Sequence, residues 1–260
     1  VAGQRYLGTS VQAPVRITIH GVPGNDLGAF MDGPQIGCSI TMAFPQPVSV
    51  TTVRIMQTGL LANAFALRAG RLGGALFLMP RFDAEGLLRL VQQEAIDTIF
   101  MVPTMFIRLM KLPEAVRAKY DMSSLRHIIH AAAPCPADVK RAMIEWWGPV
   151  IYEFYGSTES GAVTFANSED ALKKPGTVGK IAPGAELRFV GDDGKILPQG
   201  EIGEIYSRIP GNPDFTYHNK PEKRAEIDLD GFITSGDVGY IDQDGYVFIC
   251  DRKRDMVISG

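Results

Sequence analysis

The chain has 260 residues, of which 45% are hydrophobic and 21% are charged, and its mean hydropathy is +0.02. This composition is typical of a globular protein with a sizeable core and excludes a disordered or fibrous chain. With 26 Lys and Arg against 29 Asp and Glu and no basic cluster, the net charge of −3 gives no electrostatic reason to expect nucleic acid or an anionic membrane as partner.

The sequence shows no pattern typical of membrane insertion or export. No apolar run approaches the roughly 20 residues that span a bilayer, and no basic segment followed by an apolar stretch opens the chain. The three cysteines, Cys38, Cys135 and Cys250, are scattered and lack metal-ligand spacing. We therefore expect reduced thiols, no transmembrane segment and a cytoplasmic location.

The amino-terminal third is unusually poor in charge. Residues 1–80 hold seven charged side chains, and no lysine occurs before Lys111. A surface-exposed segment of this size would carry about a quarter charged residues. We expect residues 1–71 to form a buried or incomplete amino-terminal part.

From residue 72 onward, predicted strands and helices alternate. Short apolar runs predict strands at 75–79, 98–102, 127–132 and 150–154. Helical spacing of apolar residues follows the first three strands, with Asp83 as the cap of the first helix and prolines near the start of the others. This alternation predicts an α/β fold with parallel strands flanked by helices over 72–175.

Near residue 175 the pattern changes to short β-branched runs separated by turn residues. Asp192-Asp193-Gly194 lies between runs at 187–190 and 201–208, and Asp244-Gly245 lies between runs at 239–242 and 246–250. Such spacing predicts β-hairpins. Residues 176–260 are thus predicted to form a small antiparallel β subdomain.

The segment Tyr155-Gly156-Ser157-Thr158-Glu159 directly follows the strand predicted at 150–154. A glycine-containing turn at the carboxyl end of a strand is where open parallel sheets bind ligands. A hydroxyl beside a carboxylate suits a phosphate oxygen and a hard cation. Taken alone, a segment of this kind is most often an ordinary surface turn.

Two further segments carry charge near glycine turns. Asp237 lies between Gly236 and Gly239, and residues 251–255 hold five charged side chains between two apolar runs. A carboxylate beside a guanidinium can bind the two hydroxyls of a ribose. The alternative is a turn acid followed by a solvated charged surface.

In order and spacing, the three segments resemble the adenylate-forming superfamily of acyl-CoA synthetases, luciferases and peptide-synthetase adenylation domains. The family's Tyr-Gly-x-Thr-Glu motif matches 155–159, and its Thr-Gly-Asp motif matches 234–237 with Ser235 as an additional residue. Its Arg-x-Lys-Asp hinge motif matches 252–255, with Arg254 at a position that usually holds Lys or Asp. The resemblance covers 72–260 and does not extend over 1–71.

The resemblance implies roles for the matching residues. Tyr155 would stack on adenine, Thr158 would contact the α-phosphate, and Glu159 would bind Mg²⁺. Asp237, helped by Arg252, would bind the ribose hydroxyls. The other residues implied at the nucleotide are Gly156, Glu153 and the turn Ala132, Ala133 and Pro134.

The family's acyl pocket lies beneath the nucleotide site. The resemblance places Phe100, Met101, Val102 and His130 along that pocket and Arg254 at the hinge. His130 is equally well explained as a buried histidine at the end of a strand.

Two parts of the family pattern have no counterpart in the sequence. The Gly-rich phosphate loop ending in Pro-Lys-Gly is missing, and the family's small carboxyl-terminal domain would follow Gly260. One explanation is an incomplete record of a larger enzyme, and the other is a nucleotide- or acyl-binding module without catalysis. We expect the former.

The resemblance implies ATP- and Mg²⁺-dependent activation of a hydrophobic carboxylic acid through an acyl-adenylate, followed by thioester formation with coenzyme A. The bulky apolar side chains of Phe100, Met101 and Met105 favour a hydrophobic acid over acetate. A peptide-synthetase-type adenylation domain and a non-catalytic binding module remain as alternatives.

Overall fold

The computed structural model describes residues 54–57, 75–79, 82–212, 214–217 and 222–252. The chain divides into two compact units between Ile129 and His130. Most of the segment 1–71, together with Arg254, lies outside the described residues.

The first unit contains parallel strands and three described helices. Strand β1 pairs in parallel with both β2 and β3. The elements are β1 (Arg54–Gln57), β2 (Ala75–Leu78), α1 (Ala84–Glu94), β3 (Thr98–Met101), α2 (Pro103–Met110) and α3 (Glu114–Arg117). Strand β4 (His127–His130) crosses the division between the units.

Helix α1 forms as its sequence predicts. The Asp83 carboxylate caps the helix by accepting a hydrogen bond from the Gly86 backbone N–H at 3.0 Å. Leu87, Leu88 and Val91 recur on one face and are fully buried. Burial of this apolar face is what stabilises the helix in the first unit.

The second unit is dominated by antiparallel strands. Its described strands pair in the order β5-β6-β7-β12-β11-β9-β8, with the short β10 beside β11. The elements are α4 (Ala137–Trp147), β5 (Ile151–Ser157), β6 (Gly161–Ala166), α5 (Ser168–Lys173), β7 (Thr177–Ile181), β8 (Glu186–Val190), β9 (Gly203–Arg208), α6 (Glu222–Glu226), β10 (Asp228–Leu229), β11 (Phe232–Ile241) and β12 (Tyr246–Arg252).

The core of the second unit lies on one face of these strands. Val178, Phe189, Ile205 and Val247 form its centre, and each is less than a tenth exposed. Tyr155 packs against this group from β5. The candidate adenine residue therefore contacts an apolar cluster in the core of the unit.

The structure differs from the sequence prediction at the end of β5. The sequence placed residues 155–159 in a turn, whereas β5 continues through Ser157 and pairs antiparallel with β6. Antiparallel pairing thus begins before the change of pattern near residue 175. The reason is a tight hairpin that needs only the short turn at 158–160.

The α/β fold class is confirmed, with parallel strands and helices in the first unit and antiparallel strands in the second. The predicted hairpins around Gly194 and Gly245 both form, and both glycines have positive φ. In the described part of the chain, every helix is too short or too polar to cross a bilayer.

Candidate active site

The β5–β6 hairpin requires a glycine at position 156. A Cβ atom there would lie 1.9 Å from the carbonyl oxygen of Gly161, well inside contact distance. The strand register also shifts between Tyr155 and Gly156. The glycine of the motif therefore allows two backbones to approach closely.

Two serines fix the turn that follows. The Ser157 hydroxyl accepts a hydrogen bond from the Ser160 backbone N–H, and the Ser160 hydroxyl accepts one from the Ser157 N–H, each at 3.0 Å. Thr158 is exposed at the tip, and Glu159 is half-buried beside it. The turn thus presents a hydroxyl and a carboxylate next to each other.

Asp237 connects three strands of the second unit. Its Oδ2 accepts hydrogen bonds from the hydroxyls of Tyr155 on β5 at 2.9 Å and Ser235 on β11 at 2.8 Å. Its Oδ1 accepts from Nε of Arg252 on β12 at 2.9 Å. The Asp237 side chain is buried, whereas Arg252 is largely exposed.

The hydroxyl of Tyr155 remains a donor over the physiological pH range. Burial raises the pKa of Tyr155, and the negative charge of Asp237 raises it further. The left-handed φ of +80° at Gly236 turns the chain so that Asp237 follows Ser235 into this cluster. The structure therefore joins three of the residues singled out in the sequence.

The second unit also contains a buried charged cluster of Lys140, Glu153 and His130. Lys140 of α4 donates a hydrogen bond to Oε2 of Glu153 on β5, and both side chains are about 5% exposed. The Nδ1 atom of His130 lies 3.8 Å from Oε1 of Glu153. Glu153 is therefore held by Lys140, inside the unit.

Burial controls protonation in this cluster. Burial raises the pKa of Glu153, and Lys140 acts in the opposite direction. Burial, together with the charge of Lys140, lowers the pKa of His130 to about 3. His130 is thus a neutral imidazole at pH 7, and it is fully enclosed.

The loop after β4 contains a non-glycine residue in a left-handed conformation. Ala132 has a φ of +73°, and Ala132, Ala133 and Pro134 are all exposed. An alanine in this region costs about 1–2 kcal/mol relative to a right-handed conformation. Strain of this kind is most common near binding sites.

Replacing Ala132 with glycine should raise the free energy of unfolding by about 0.5–1 kcal/mol, because glycine relieves the strain but adds entropy to the unfolded chain. Urea denaturation measures the change. Ala133, whose φ is not positive, is the matched control. Ala133→Gly should lower stability, and equal effects of both variants would contradict the role of strain.

Sequence reasoning missed one partner of the predicted metal ligand. The Tyr217 hydroxyl donates a hydrogen bond to Oε1 of Glu159 at 2.8 Å, although 58 residues separate them. Burial raises the pKa of Tyr217, and the bond to Glu159 adds to this effect. The only local signal was an aromatic residue in a polar, proline-containing segment.

The predicted acyl-pocket residues occupy different environments. Phe100 and Met101 on β3 are buried in the first unit, and Val102 is half-buried where α2 begins. His130 belongs to the buried cluster of the second unit.

The candidate metal ligand is a single carboxylate. Over the described ranges of the chain, no group of three or more His, Cys, Asp or Glu side chains is placed to hold a metal ion. A complete protein cage for a cation is therefore not seen in this part of the chain. The arrangement around Glu159 suits a cation that brings other oxygen ligands with it.

Residues 60–212 match the protein family described as AMP-binding enzyme. The chain belongs to this family, which confirms the resemblance drawn from the three motifs.

The chain is similar in sequence to curated ligases and in fold to solved synthetases. Indoleacetate–CoA ligase of Aromatoleum aromaticum is 34% identical over 214 residues, which cover 81% of this chain and 41% of the relative. The amide bond synthetase McbA of Marinactinospora thermotolerans superimposes with a TM-score of 0.73 and 27% identity, covering 80% of this chain and 43% of that one. The o-succinylbenzoate CoA synthetase of Bacillus subtilis, solved with ATP and a magnesium ion, gives a TM-score of 0.67 and 25% identity, covering 82% of this chain and 44% of that one.

The aligned part of this chain covers between 34% and 41% of the full length of three curated relatives.

Proposed function

We propose that this chain provides the nucleotide-binding part of an ATP- and Mg²⁺-dependent ligase that activates a hydrophobic carboxylic acid as an acyl-adenylate and transfers the acyl group to coenzyme A. The observation that carries the proposal is the convergence of Tyr155, Ser235 and Arg252 on Asp237, in a family of AMP-binding enzymes.

Asp237 fits a ribose. An ionised carboxylate offers about four acceptor positions, and the protein donors Tyr155, Ser235 and Arg252 use three of them. One of the two vicinal hydroxyls of a ribose would donate to the remaining acceptor position. The other would replace the hydroxyl of a protein donor. Nε of Arg252 donates a charge-assisted hydrogen bond to Oδ1 of Asp237 at 2.9 Å and so helps to fix the orientation of the carboxylate.

Tyr155 and the loop after β4 fit an adenine ring. The bond from the Tyr155 hydroxyl to Asp237 fixes the ring by its edge, so that stacking would need no further ordering of this side chain. Gly156 keeps the neighbouring backbone free of a side chain. Ala132, Ala133 and Pro134 would form the opposite wall. Glu153 would act indirectly on the adenine site. Its hydrogen bond from Lys140 fixes β5, the strand that carries Tyr155.

Glu159 and Thr158 fit the phosphate end of the nucleotide. Mg²⁺ is commonly held by one or two carboxylates together with substrate phosphates and water, so a lone carboxylate at a turn suits this ion. When bound, the cation would neutralise negative charge at the phosphates. The exposed Thr158 hydroxyl would donate to the α-phosphate.

In the proposed reaction, the protein acts by positioning the substrates. An oxygen of the substrate carboxylate attacks the α-phosphorus of ATP, the bond to the β-phosphate breaks, and pyrophosphate leaves. The thiolate of coenzyme A next attacks the acyl carbonyl carbon, and AMP leaves with the electrons of the acyl–oxygen bond. The protein's residues hold the nucleotide and donate hydrogen bonds, without a protein nucleophile.

The acid and the acceptor are proposed on separate grounds. Phe100, Met101 and Val102 are apolar, which supports a hydrophobic acid. The names of the similar ligases support coenzyme A as acceptor, whereas the amide bond synthetase supports an amine. The two acceptors share the first half-reaction, so they are separated by supplying each to the preformed acyl-adenylate.

Replacing Glu159 with glutamine should reduce the rate of acid-dependent ATP–pyrophosphate exchange about 10²-fold, because the amide keeps the size of the side chain but loses the charge that binds Mg²⁺. The exchange is measured in the full-length protein with a panel of aromatic, alicyclic and fatty acids. Thermal unfolding should change little, since Glu159 is half-buried at a turn.

Glu169→Gln is the matched control, because Glu169 is an exposed acid on α5 of the same unit. Its exchange rate should equal that of the unaltered protein. Exchange with amino acids alone would favour a peptide-synthetase-type adenylation domain. Binding of ATP without exchange for any acid would favour a non-catalytic module and overturn the ligase proposal.

A further inference from the structure

Glu159 is connected to a chain of side chains that reaches well beyond the turn. The Tyr217 hydroxyl donates to Oε1 of Glu159 at 2.8 Å. This bond is made to one of the two carboxylate oxygens, Oε1. Tyr217 comes from the segment between β9 and α6, so the turn is tied to a distant part of the sequence.

The Tyr217 ring is itself held in place. It packs edge-on against Phe215, with ring centroids 5.7 Å apart and an interplanar angle of 86°. The Arg224 guanidinium lies 4.8 Å from the centroid of the Phe215 ring. Asp214 accepts from Nε of Arg224 at 3.2 Å, and Asp228 accepts from Nη1 at 2.8 Å. The ring that carries the phenol thus packs against Phe215, whose own ring contacts Arg224.

The chemical nature of the donor matters at this position. A Lys or Arg at hydrogen-bond distance would neutralise the Glu159 carboxylate and compete with a metal ion. A phenol orients the carboxylate by one hydrogen bond and leaves its negative charge intact.

We propose that Tyr217 is a positioning residue that orients Glu159 for Mg²⁺. This inference rests on the proposed function, in which Glu159 binds the Mg²⁺ of the ATP complex. A partner that hydrogen-bonds a metal ligand fixes the ligand's orientation, and its loss typically weakens metal affinity 10–100-fold.

The test is the Mg²⁺ dependence of ATP binding, measured by isothermal titration calorimetry on the full-length protein. In Tyr217→Phe, the Mg²⁺ concentration that gives half of the maximal ATP affinity should rise about tenfold. ATP affinity at saturating Mg²⁺ and the thermal unfolding midpoint should stay close to those of the unaltered protein. A structural role alone would instead lower the midpoint without changing the Mg²⁺ dependence.

Two controls connect the effect to Glu159. Tyr240→Phe removes a hydroxyl from a tyrosine stacked on Phe248, with centroids 5.0 Å apart, and should leave the Mg²⁺ dependence unchanged. In a Glu159→Gln background, Tyr217→Phe should cause no further shift, because both act on the same ligand. A full additional shift in that background would overturn the inference.

Failure of the inference and failure of the proposed function give different results. If the unaltered protein binds ATP with Mg²⁺ and Tyr217→Phe shows the same Mg²⁺ dependence, the positioning role is wrong and the proposed function stands. If the unaltered protein binds no ATP at any Mg²⁺ concentration, both are wrong.

Discussion

Replacing Lys140 with methionine should lower the free energy of unfolding by about 3–5 kcal/mol, which is the usual cost of leaving one partner of a buried ion pair alone. Lys140 is 4% exposed and donates to Glu153, which is 5% exposed. Methionine keeps the length and apolar stem of the side chain, so the loss reports mainly the uncompensated carboxylate. Urea denaturation followed by circular dichroism measures it.

The loss should depend on pH. Burial raises the pKa of Glu153, and removing Lys140 takes away the charge that opposes this rise. A buried acid with a raised pKa is least destabilising when protonated, so the difference between variant and unaltered protein should be larger near about pH 8 than near about pH 5.

A double variant tests whether the uncompensated charge of Glu153 causes the loss of stability. Lys140→Met combined with Glu153→Leu should recover much of the lost stability, because an apolar pair can replace a buried ion pair at little cost. Lys195→Met, at an exposed pair with Asp193, should leave the unfolding midpoint almost unchanged. If the double variant unfolds at the same urea concentration as Lys140→Met, the ion pair does not explain the loss.

Replacing Asp237 with asparagine should reduce kcat/KM for ATP about 10²–10³-fold. The asparagine side chain cannot accept all three hydrogen bonds that Asp237 accepts from Tyr155, Ser235 and Arg252. It would instead place an N–H group next to one of these donors. The site would therefore lose both the acceptor for a ribose and the geometry of Tyr155. Acid-dependent pyrophosphate release at varied ATP concentrations measures the effect.

Asp242→Asn on the same hairpin is the matched control. Asp242 accepts from Lys174 at 2.7 Å and from the Tyr246 backbone N–H at 2.9 Å, so it supports the hairpin turn. Its replacement should lower the thermal midpoint and leave KM for ATP unchanged. An equal rise in KM for ATP in both variants would show that Asp237 acts through hairpin stability alone.

The sequence predicted those parts of the fold that are set by neighbouring residues. The cap at Asp83 and the turn at Asp244-Gly245 depend on local chemistry, and both formed as predicted. The β5–β6 hairpin was not predicted, because the close approach of Gly156 and Gly161 depends on how two strands pair. Helix α5 carried a readable capping box of Asn167 and Asp170 that the prediction did not use.

The candidate site was predicted as separate residues, and only one of its contacts followed from sequence. A hairpin centred on Asp244-Gly245 places Asp237 opposite Arg252, as the strand register shows. The bond from Tyr155 to Asp237 spans 82 residues and depends on strand order. A lysine on a helix is normally exposed, so the burial of Lys140 could not be inferred without its partner on β5.

The shape of the β5–β6 hairpin depends on the close backbone approach at Gly156, and the chemistry of its tip depends on other residues. The hairpin is determined by backbone contacts and by Ser157 and Ser160. Thr158 is exposed, and Glu159 is half-buried and hydrogen-bonded to Tyr217, outside the hairpin. Substitutions at 158 and 159 can therefore be explored in a library at little risk to folding, while position 156 should accept glycine alone. Selection for altered phosphate chemistry could act at the tip without the usual loss of stability.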